Sequence, residues 1–159
     1  MPKIDIDRAP TGHGTGYPDE HAGPCLPRRR WKRGDAAGLD QFGVNLLGLP
    51  DGAWSSQRHW HAAEDEFVWV LSGEVVLVEG EGETVLRTGD CAGFKAGVQN
   101  GHKIENRSGA EAVLLEVGTR SPAGADACDY PDIDMVLPAG ADRYFHRDGT
   151  PYPKHDRRT

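Results

Sequence analysis

The sequence predicts an all-β protein, and three observations lead to this fold class. The 159-residue chain contains 21 Gly and 11 Pro, which implies many turns. Between residues 42 and 118, strand-sized apolar runs recur at roughly 8–12-residue spacing, which is typical of a β-sandwich or β-barrel. No apolar run approaches the roughly 20 residues of a membrane-spanning helix, and the length suits one domain with a substantial core.

The first segment, residues 1–41, is predicted to be an N-terminal arm that ends in an edge strand. Its first 27 residues are rich in Gly, Pro and charge and offer no core of their own. The run from Arg28 to Arg33 then holds five basic residues in six. A phosphate or nucleic-acid patch is one interpretation, but the net charge of −7 disfavours nucleic acid. We therefore interpret this run as a solvated strand or arm with Trp31 packed inward.

The second segment, residues 42–118, is predicted to form the barrel core. Phe42 to Leu49 is predicted to be a strand, and Pro50-Asp51-Gly52 ends it because Pro fixes φ and Gly accepts a positive φ. The run from Glu66 to Leu71 is apolar on both faces, which predicts a strand that is covered on both sides. Further strands are predicted at residues 57–61, 75–78, 84–86, 91–94, 102–106 and 112–117.

The third segment, residues 119–159, loses this rhythm and is predicted to be a C-terminal extension whose aromatic residues pack on the barrel. The charged stretch from Met1 to Arg8 lacks the apolar centre of a signal peptide, and the three cysteines form no CxxC pair. We therefore expect reduced thiols and a cytoplasmic location. Barrel edges and the long arm favour a homodimer, because exposed strand edges invite pairing.

The pattern with the clearest chemical meaning is His59-Trp60-His61 followed by Glu66. Alternate residues of a strand share a face with Cα atoms roughly 6.6 Å apart, so two imidazoles at this spacing can bind one ion. Glu66 adds a carboxylate, and His102 offers a third imidazole. This donor set suits one divalent ion such as Zn, Fe, Mn, Ni or Cu. From spacing alone, a surface His-x-His pair that binds nothing remains the alternative.

Strand parity gives an independent argument for an interior site. If His59 and His61 face inward, Gln57 shares their face and is predicted to contact substrate, although filling space or bonding to backbone fits equally well. Parity also places Glu66 and His102 on faces that they share with apolar residues. The predicted interior therefore combines the polar ligands with an apolar floor formed by Val68, Val70 and Ile104.

These residues resemble the two motifs of the cupin superfamily of small β-barrels. In the first motif, six residues separate the opening Gly from the His-x-His pair, four separate the pair from the Glu, and six separate the Glu from the closing Gly. The matching residues are Gly52, His59, His61, Glu66 and Gly73. The second motif is matched less fully, because Lys95 stands where the family usually has Pro. Its matching residues are Gly89, Gly97, His102 and Asn106.

The resemblance covers roughly residues 42–118 and is closest to compact, single-domain bacterial members of the superfamily. It implies a double-stranded β-helix, or jelly-roll barrel, flanked by the N-terminal arm and the C-terminal extension. It also implies that one divalent metal ion is held by His59, His61, Glu66 and His102. Some compact members are labelled sugar phosphate isomerases, but this fold hosts many chemistries and does not by itself give the substrate.

Two functional hypotheses follow. An octahedral ion with four protein ligands leaves two positions for the vicinal oxygens of a small polar molecule such as a hydroxyketone, diketone or hydroxy acid. This predicts a metal-dependent enzyme of isomerase, lyase or oxygenase type, with Glu66 as the catalytic proton-transfer residue because no separate base stands out. The alternative is a non-catalytic ligand-binding or sensory barrel with a structural metal, since four ligands also complete a tetrahedral zinc site.

Overall fold

The computed structural model describes residues 3–154, which contain short helices and twelve strands. The helices are α1 (Asp19–Ala22) and α2 (Arg33–Ala36), and single 3₁₀ turns cover Ile6–Arg8, Gly23–Cys25 and Pro122–Gly124. The strands are β1 (Thr11–His13), β2 (Arg29–Lys32), β3 (Phe42–Leu49), β4 (Trp60–His61), β5 (Glu66–Ser72), β6 (Glu74–Glu79), β7 (Gly82–Arg87), β8 (Cys91–Phe94), β9 (Lys103–Glu105), β10 (Ala112–Thr119), β11 (Cys128–Tyr130) and β12 (Met135–Leu137). Within residues 3–154, no helix has the length and hydropathy needed to cross a bilayer.

These strands form three antiparallel sheets within the described part of the chain. The largest has six strands in the order β1-β2-β3-β10-β5-β8, and the others have the orders β7-β6-β9 and β12-β11-β4. Strand β10 lies at the centre of the large sheet, paired with β3 on one side and β5 on the other. The all-β fold class predicted from the sequence is therefore confirmed.

The barrel core lies between the inner face of the large sheet and the β7-β6-β9 sheet. Alternate residues of β3, β5 and β10 face inward, because the side-chain period of a strand is two residues. Removing each large aliphatic side chain from water stabilises the fold by about 1.5–3 kcal/mol. The buried core residues are Leu47, Leu49, Ala53, Val68, Val70, Val75, Leu77, Leu86, Ile104, Ala112 and Leu114.

The tight turn between β5 and β6 depends on Gly73. Its φ of +88° is rarely adopted by other residues, and a Cβ at this position would approach the Cα of Ala112 to 2.9 Å. The turn carries the chain from β5, in the large sheet, to β6, in the β7-β6-β9 sheet. The second glycine of the first motif therefore allows the chain to pass close to Ala112, at the start of β10.

The outer face of β5 is exposed, so the prediction of a strand covered on both sides is wrong. Val68 and Val70 are buried, whereas Phe67, Trp69 and Leu71 are between 39% and 44% exposed. The sequence pattern could not separate a covered strand from one with an apolar outer face, because both are apolar at every position. This exposed face does not test the predicted homodimer, which stays a prediction.

The N-terminal arm and the C-terminal extension share a second core. The arm offers no core of its own, so its packing against the extension is what stabilises the described part of the arm. Strand β11 of the extension also pairs with β4, so it adjoins the segment that carries His59 and His61. The buried residues of this second core are Tyr17, Ala22, Cys25, Cys128, Tyr130, Met135 and Tyr152.

Asn106 is fully buried and connects the end of β3 to the loop that follows β9. Its Nδ2 atom donates to the carbonyls of Leu49 (2.6 Å) and Ala110 (2.7 Å), and its Oδ1 atom accepts from the amide (3.0 Å) and hydroxyl (2.8 Å) of Ser108. We expect Asn106→Ala to lower the free energy of unfolding by about 3 kcal/mol, because buried carbonyls lose their donors. Urea unfolding measures this loss. Ser108→Ala is the control, with an expected loss of about 1 kcal/mol, and an equal effect of both variants would contradict the assignment.

Candidate metal centre

The four predicted ligands come from three separate segments of the barrel. His59 precedes β4, His61 lies within it, Glu66 begins β5, and His102 directly precedes β9. The amides of His59 and His102 each donate to the carbonyl of the other, at 3.1 and 2.8 Å, which joins two of these segments. The regular part of the predicted strand 57–61 is shorter than expected. The chain bends between residues 55 and 58, where the Ser55 hydroxyl accepts the amide of Ile104 at 2.9 Å.

The Nε2 atoms of the three imidazoles converge on one carboxylate oxygen. Oε2 of Glu66 lies 3.0 Å from Nε2 of His102, 3.5 Å from that of His61 and 3.9 Å from that of His59. The ligand atoms of His59, His61 and Glu66 all lie within 4.8 Å of one another, and His102 joins this group through Glu66. The structure thus brings together the donor atoms that the sequence singled out.

Hydrogen bonds at the opposite ring nitrogens direct two lone pairs toward this point. Nδ1 of His59 lies 2.9 Å from the carbonyl of Gln57, and Nδ1 of His61 lies 2.6 Å from Oδ2 of Asp126. Because both partners are acceptors, we assign the proton to Nδ1 in each ring, so Nε2 keeps its lone pair. Metal-binding histidines usually have a partner of this kind.

Two buried polar atoms of the cluster have no hydrogen-bond partner among the described residues. They are Oε2 of Glu66 and Nδ1 of His102. A buried carboxylate oxygen without a hydrogen bond is costly, and a cation bound between it and the Nε2 atoms would remove that cost. The ring of His102 is held in place by stacking on Phe94, with ring centroids 3.5 Å apart. These residues therefore fit a divalent ion that accepts nitrogen and oxygen donors.

The titration of His59 predicts a pH dependence of stability. Burial, followed by the charges of His102 and His61, lowers the pKa of His59 to about 4 despite the opposing effect of Glu66. The unfolded chain takes up this proton near pH 6.5 and the folded protein only near pH 4, so stability falls between these values as the solution is acidified. The metal-free protein is expected to lose on the order of 3 kcal/mol of unfolding free energy across this window. Urea unfolding at pH 7 and pH 4.5, in the presence of a chelator, measures this loss of stability. If His59→Gln lost as much stability between these pH values as the wild type does, His59 would not be the group responsible.

A second polar cluster lies behind His61. Besides accepting from Nδ1 of His61, Asp126 accepts the amide of Ala63 at 2.8 Å. Sγ of Cys128 lies 3.3 Å from Nδ1 of His61 and 3.5 Å from Oδ2 of Asp126. Burial and then the Asp126 carboxylate raise the pKa of the Cys128 thiol, which keeps it neutral. Asp126 therefore orients His61, and Cys128 packs against the pair as a thiol.

Asp126→Asn is expected to lower metal affinity by about 10–100-fold, because the amide no longer fixes His61 in the tautomer with a free Nε2. Competition with a coloured chelator measures this affinity. Asp132→Asn is a matched control, since Asp132 pairs with Arg58 on the surface at 2.6 Å. Equal affinities of the two variants would show that Asp126 does not orient the ligand.

The ligand cluster lies in the wall of a cavity of about 360 Å³, a volume that suits a small molecule. Val68 and Ile104 line it as predicted, whereas Val70 is in the barrel core. A second cavity of about 250 Å³ borders His61, Glu66 and His102 from another side. Hydroxyl groups also line the larger cavity, and they belong to Thr15, Tyr17, Ser55, Ser56, Thr119 and Tyr144.

Gln57 is buried, but it is not among the residues that line the larger cavity. Its Nε2 atom donates to the backbone carbonyl of His21 at 2.6 Å. The structure therefore gives Gln57 the backbone contact that the sequence left open as an alternative. Substrate binding by Gln57 stays a prediction.

The basic run contributes residues that the sequence interpretation missed. Arg28 and Arg30 line the cavity, and Trp31 lies on the opposite face of β2, with its ring against Gly48. The prediction that Trp31 packs inward is therefore wrong. The error corresponds to a shift of one residue in strand register, which moves every side chain to the opposite face of the strand. Because residues 28 to 30 are all arginine, either strand register would have placed at least one arginine side chain on the inner face.

A second carboxylate of the cavity, Glu64, was also missed. Its Oε1 atom accepts from the amide and hydroxyl of Ser121 at 2.8 and 2.9 Å. Ser121 belongs to the C-terminal extension, so no local sequence pattern links it to Glu64. The lining of the cavity therefore holds Glu64 besides the candidate ligand Glu66, and Glu116 is a third glutamate there.

Comparison with known proteins agrees with this geometry. The family model described as Cupin domain matches residues 45–118. A crystal structure from Silicibacter pomeroyi, described as a sugar phosphate isomerase from the cupin superfamily, is 43% identical, with a TM-score of 0.87 over 96% of this chain and 97% of that chain. The chain belongs to the cupin superfamily. The resemblance of its two motifs is therefore confirmed, and this cupin carries the candidate metal ligands at the motif positions.

Two further structures differ in how much they show. A protein from Acidithiobacillus ferrooxidans, provisionally described as a sugar phosphate isomerase, is 28% identical with a TM-score of 0.69 over 80% of this cupin and 81% of that chain. A predicted oxalate decarboxylase from Thermotoga maritima is 18% identical with a TM-score of 0.61 over 76% of this cupin and 100% of that chain, and it shows the fold alone. No functionally curated protein matches the sequence.

Proposed function

We propose that this cupin is a metal-dependent isomerase that acts on a small hydroxycarbonyl compound of the sugar or sugar phosphate class. The observation that carries the proposal is the convergence of three imidazole nitrogens and a buried carboxylate at the wall of a cavity of about 360 Å³. The description of the 43% identical Silicibacter pomeroyi protein as a sugar phosphate isomerase supports the reaction class. Fold similarity alone would not, because cupins carry out many reactions.

The candidate ligands are His59, His61, His102 and Glu66. A divalent ion held there would supply Lewis-acid polarisation of a carbonyl or hydroxyl oxygen. Burial raises the pKa of Glu66, but Nε2 of His102, 3.0 Å away, and the charges of the imidazoles outweigh it and lower the pKa to about 2. Glu66 is therefore ionised at neutral pH, which is the form that both a metal ligand and a proton acceptor require.

Proton transfer is the step that the chain itself must perform. In an aldose–ketose isomerisation, a proton leaves the carbon next to the carbonyl and returns to the former carbonyl carbon, while the hydroxyl and carbonyl exchange places. We assign the carrying of this proton to the Glu66 carboxylate. Phe94, Val68 and Ile104 form apolar walls that limit water at the reacting atoms.

Hydroxyl side chains of the cavity suit a polyol substrate. Burial raises the pKa of Tyr17, so its phenol stays neutral and can donate a hydrogen bond. Ser55 and Ser56 are buried and have their oxygens 3.3 Å apart. Donors and acceptors of this kind orient a sugar without adding charge.

The test is metal removal and restoration. Chelated protein is reloaded separately with Mn, Fe, Zn or Ni and incubated with aldoses, ketoses and their phosphates in deuterated water. We expect at least one metal form to produce the isomer together with deuterium at the carbon next to the carbonyl. Inactivity of every metal form would contradict the proposal, as would oxygen consumption or bond cleavage in place of isomerisation. A rise in melting temperature without turnover would instead support the ligand-binding or sensory alternative.

A further inference from the structure

Arg28 is a buried cation that has no described carboxylate within 4.0 Å. Its side chain lines the cavity, and only 8% of the residue is exposed. Nε donates to the carbonyl of Gly14 at 2.8 Å, and Nη1 donates to the carbonyl of Ser55. These bonds use two of the five N–H donors of a guanidinium. A buried charge whose hydrogen bonds go only to neutral carbonyls is costly, and an anionic ligand would compensate it.

Arg30 lies two residues further along the chain, in β2, and lines the same cavity. Its Nε and Nη2 atoms bind the Glu116 carboxylate at 2.6 and 2.9 Å. This two-point contact fixes the plane of the guanidinium, and its charge is neutralised by Glu116. Arg28 therefore supplies the uncompensated charge, and Arg30 supplies a second, rigid guanidinium on the same face of the strand.

The charge balance of the cavity leads to the same conclusion. Among the described lining residues there are three arginines and three glutamates, and one of the arginines, Arg120, is paired with Asp35 outside the lining. One of these glutamates, Glu66, is a candidate ligand, so a bound divalent ion leaves the metal-loaded cavity with a net positive charge. A neutral sugar would not compensate this charge, whereas a phosphorylated sugar would.

We propose that Arg28, with Arg30 beside it, forms a subsite for the phosphate group of the substrate. The inference rests on the proposed function and adds the substrate class, a phosphorylated hydroxycarbonyl compound rather than a free sugar. The guanidiniums bind the phosphate, and the cavity places the hydroxycarbonyl end toward His59, His61 and Glu66. Arginine suits this role because its planar donor pattern matches phosphate oxygens.

The test compares binding of inorganic phosphate to wild-type protein and to two arginine variants. Titration calorimetry at constant ionic strength, on metal-free and metal-loaded protein, measures the affinity. Arg28→Gln is expected to weaken phosphate binding about 10–100-fold, and Arg28→Lys, which keeps the charge but not the planar donors, is expected to weaken it less. Arg29→Gln is the matched control, because Arg29 faces the other side of β2 and pairs with Glu111 at 2.7 Å; its affinity should equal that of the wild type.

Several outcomes would overturn the subsite. They are wild-type affinity in both Arg28 variants, phosphate binding that requires the metal but is indifferent to Arg28, and acetate binding as tight as phosphate. If neither variant folds, the wild-type protein decides the question. Phosphate should protect Arg28 from phenylglyoxal modification, mapped by peptide mass, while the half-exposed Arg29 is modified at the same rate. Equal modification of Arg28 with and without phosphate would also contradict the subsite.

The same measurements separate this inference from the proposed function. Phosphate binding that depends on Arg28, in a protein inactive toward every sugar phosphate, would contradict the isomerase alone. Isomerisation activity in a protein whose KM for a sugar phosphate is unchanged by Arg28→Gln would contradict the phosphate subsite alone. Success of both requires that Arg28→Gln raise KM for a sugar phosphate while leaving KM for the free sugar unchanged.

Discussion

His59→Ala and His61→Ala are each expected to lower the affinity for a divalent metal by at least about 100-fold. Both rings direct Nε2 at the same point, 3.1 Å apart, and each variant removes one nitrogen donor from a site of four candidate ligands. The remaining three ligands leave a coordination position for water, which binds more weakly than imidazole. Chelator competition and elemental analysis of purified protein measure the effect.

The control for these variants is His13→Ala. His13 is exposed in β1 and lies in neither described group of candidate metal ligands. Metal content equal to that of the wild type is expected for this variant. His155, a second histidine with no expected role in metal binding, lies outside the described residues. Full metal occupancy in His59→Ala would show that the convergent imidazoles are not the site.

Glu66→Gln is expected to lower kcat/KM by about 10²–10⁴-fold, because an amide cannot accept the proton that the carboxylate carries. The amide oxygen still offers a weak metal ligand, so metal affinity should fall less than in His59→Ala. The contrast between a large loss of turnover and a small loss of metal is the signature of a proton-transfer role. Steady-state kinetics on the metal-loaded variant, at measured metal occupancy, checks it.

Glu64→Gln is the matched variant for this experiment. Glu64 lines the same cavity two residues earlier and is held by Ser121 rather than by the imidazoles. We expect its kcat/KM to stay within about 10-fold of the wild type. If Glu64→Gln abolishes turnover and Glu66→Gln does not, the proton-transfer role belongs to Glu64, and Glu66 is only a ligand.

The barrel could be predicted because its signals are local. Strand β3 begins and ends at the residues that the sequence indicated, Phe42 and Leu49, since an apolar run bounded by Pro and Gly has few other solutions. The inward placement of His59, His61 and Glu66 followed from the two-residue period of strands together with the spacing of the cupin motifs. The fold class and the candidate ligand set needed nothing beyond these patterns.

The features that were missed depend on contacts between distant segments. Asp126 reaches His61 across 65 positions, and only the pairing of β11 with β4 brings them together. The inward position of Arg30 depended on the register of β2 against β3, and an error of one residue places its side chain on the opposite face. The outer face of β5 was misjudged for another reason, because an apolar side chain does not itself show what covers it.

The central claim is that one divalent ion binds between His59, His61, Glu66 and His102. A crystal structure of the metal-loaded protein, with anomalous data collected at the absorption edge of the metal, tests it most directly. The account predicts one strong peak about 2.0–2.3 Å from the three Nε2 atoms and from a carboxylate oxygen of Glu66. A peak at the Asp126–Cys128 cluster behind His61 instead, or imidazoles turned away from a bound ion, would contradict it.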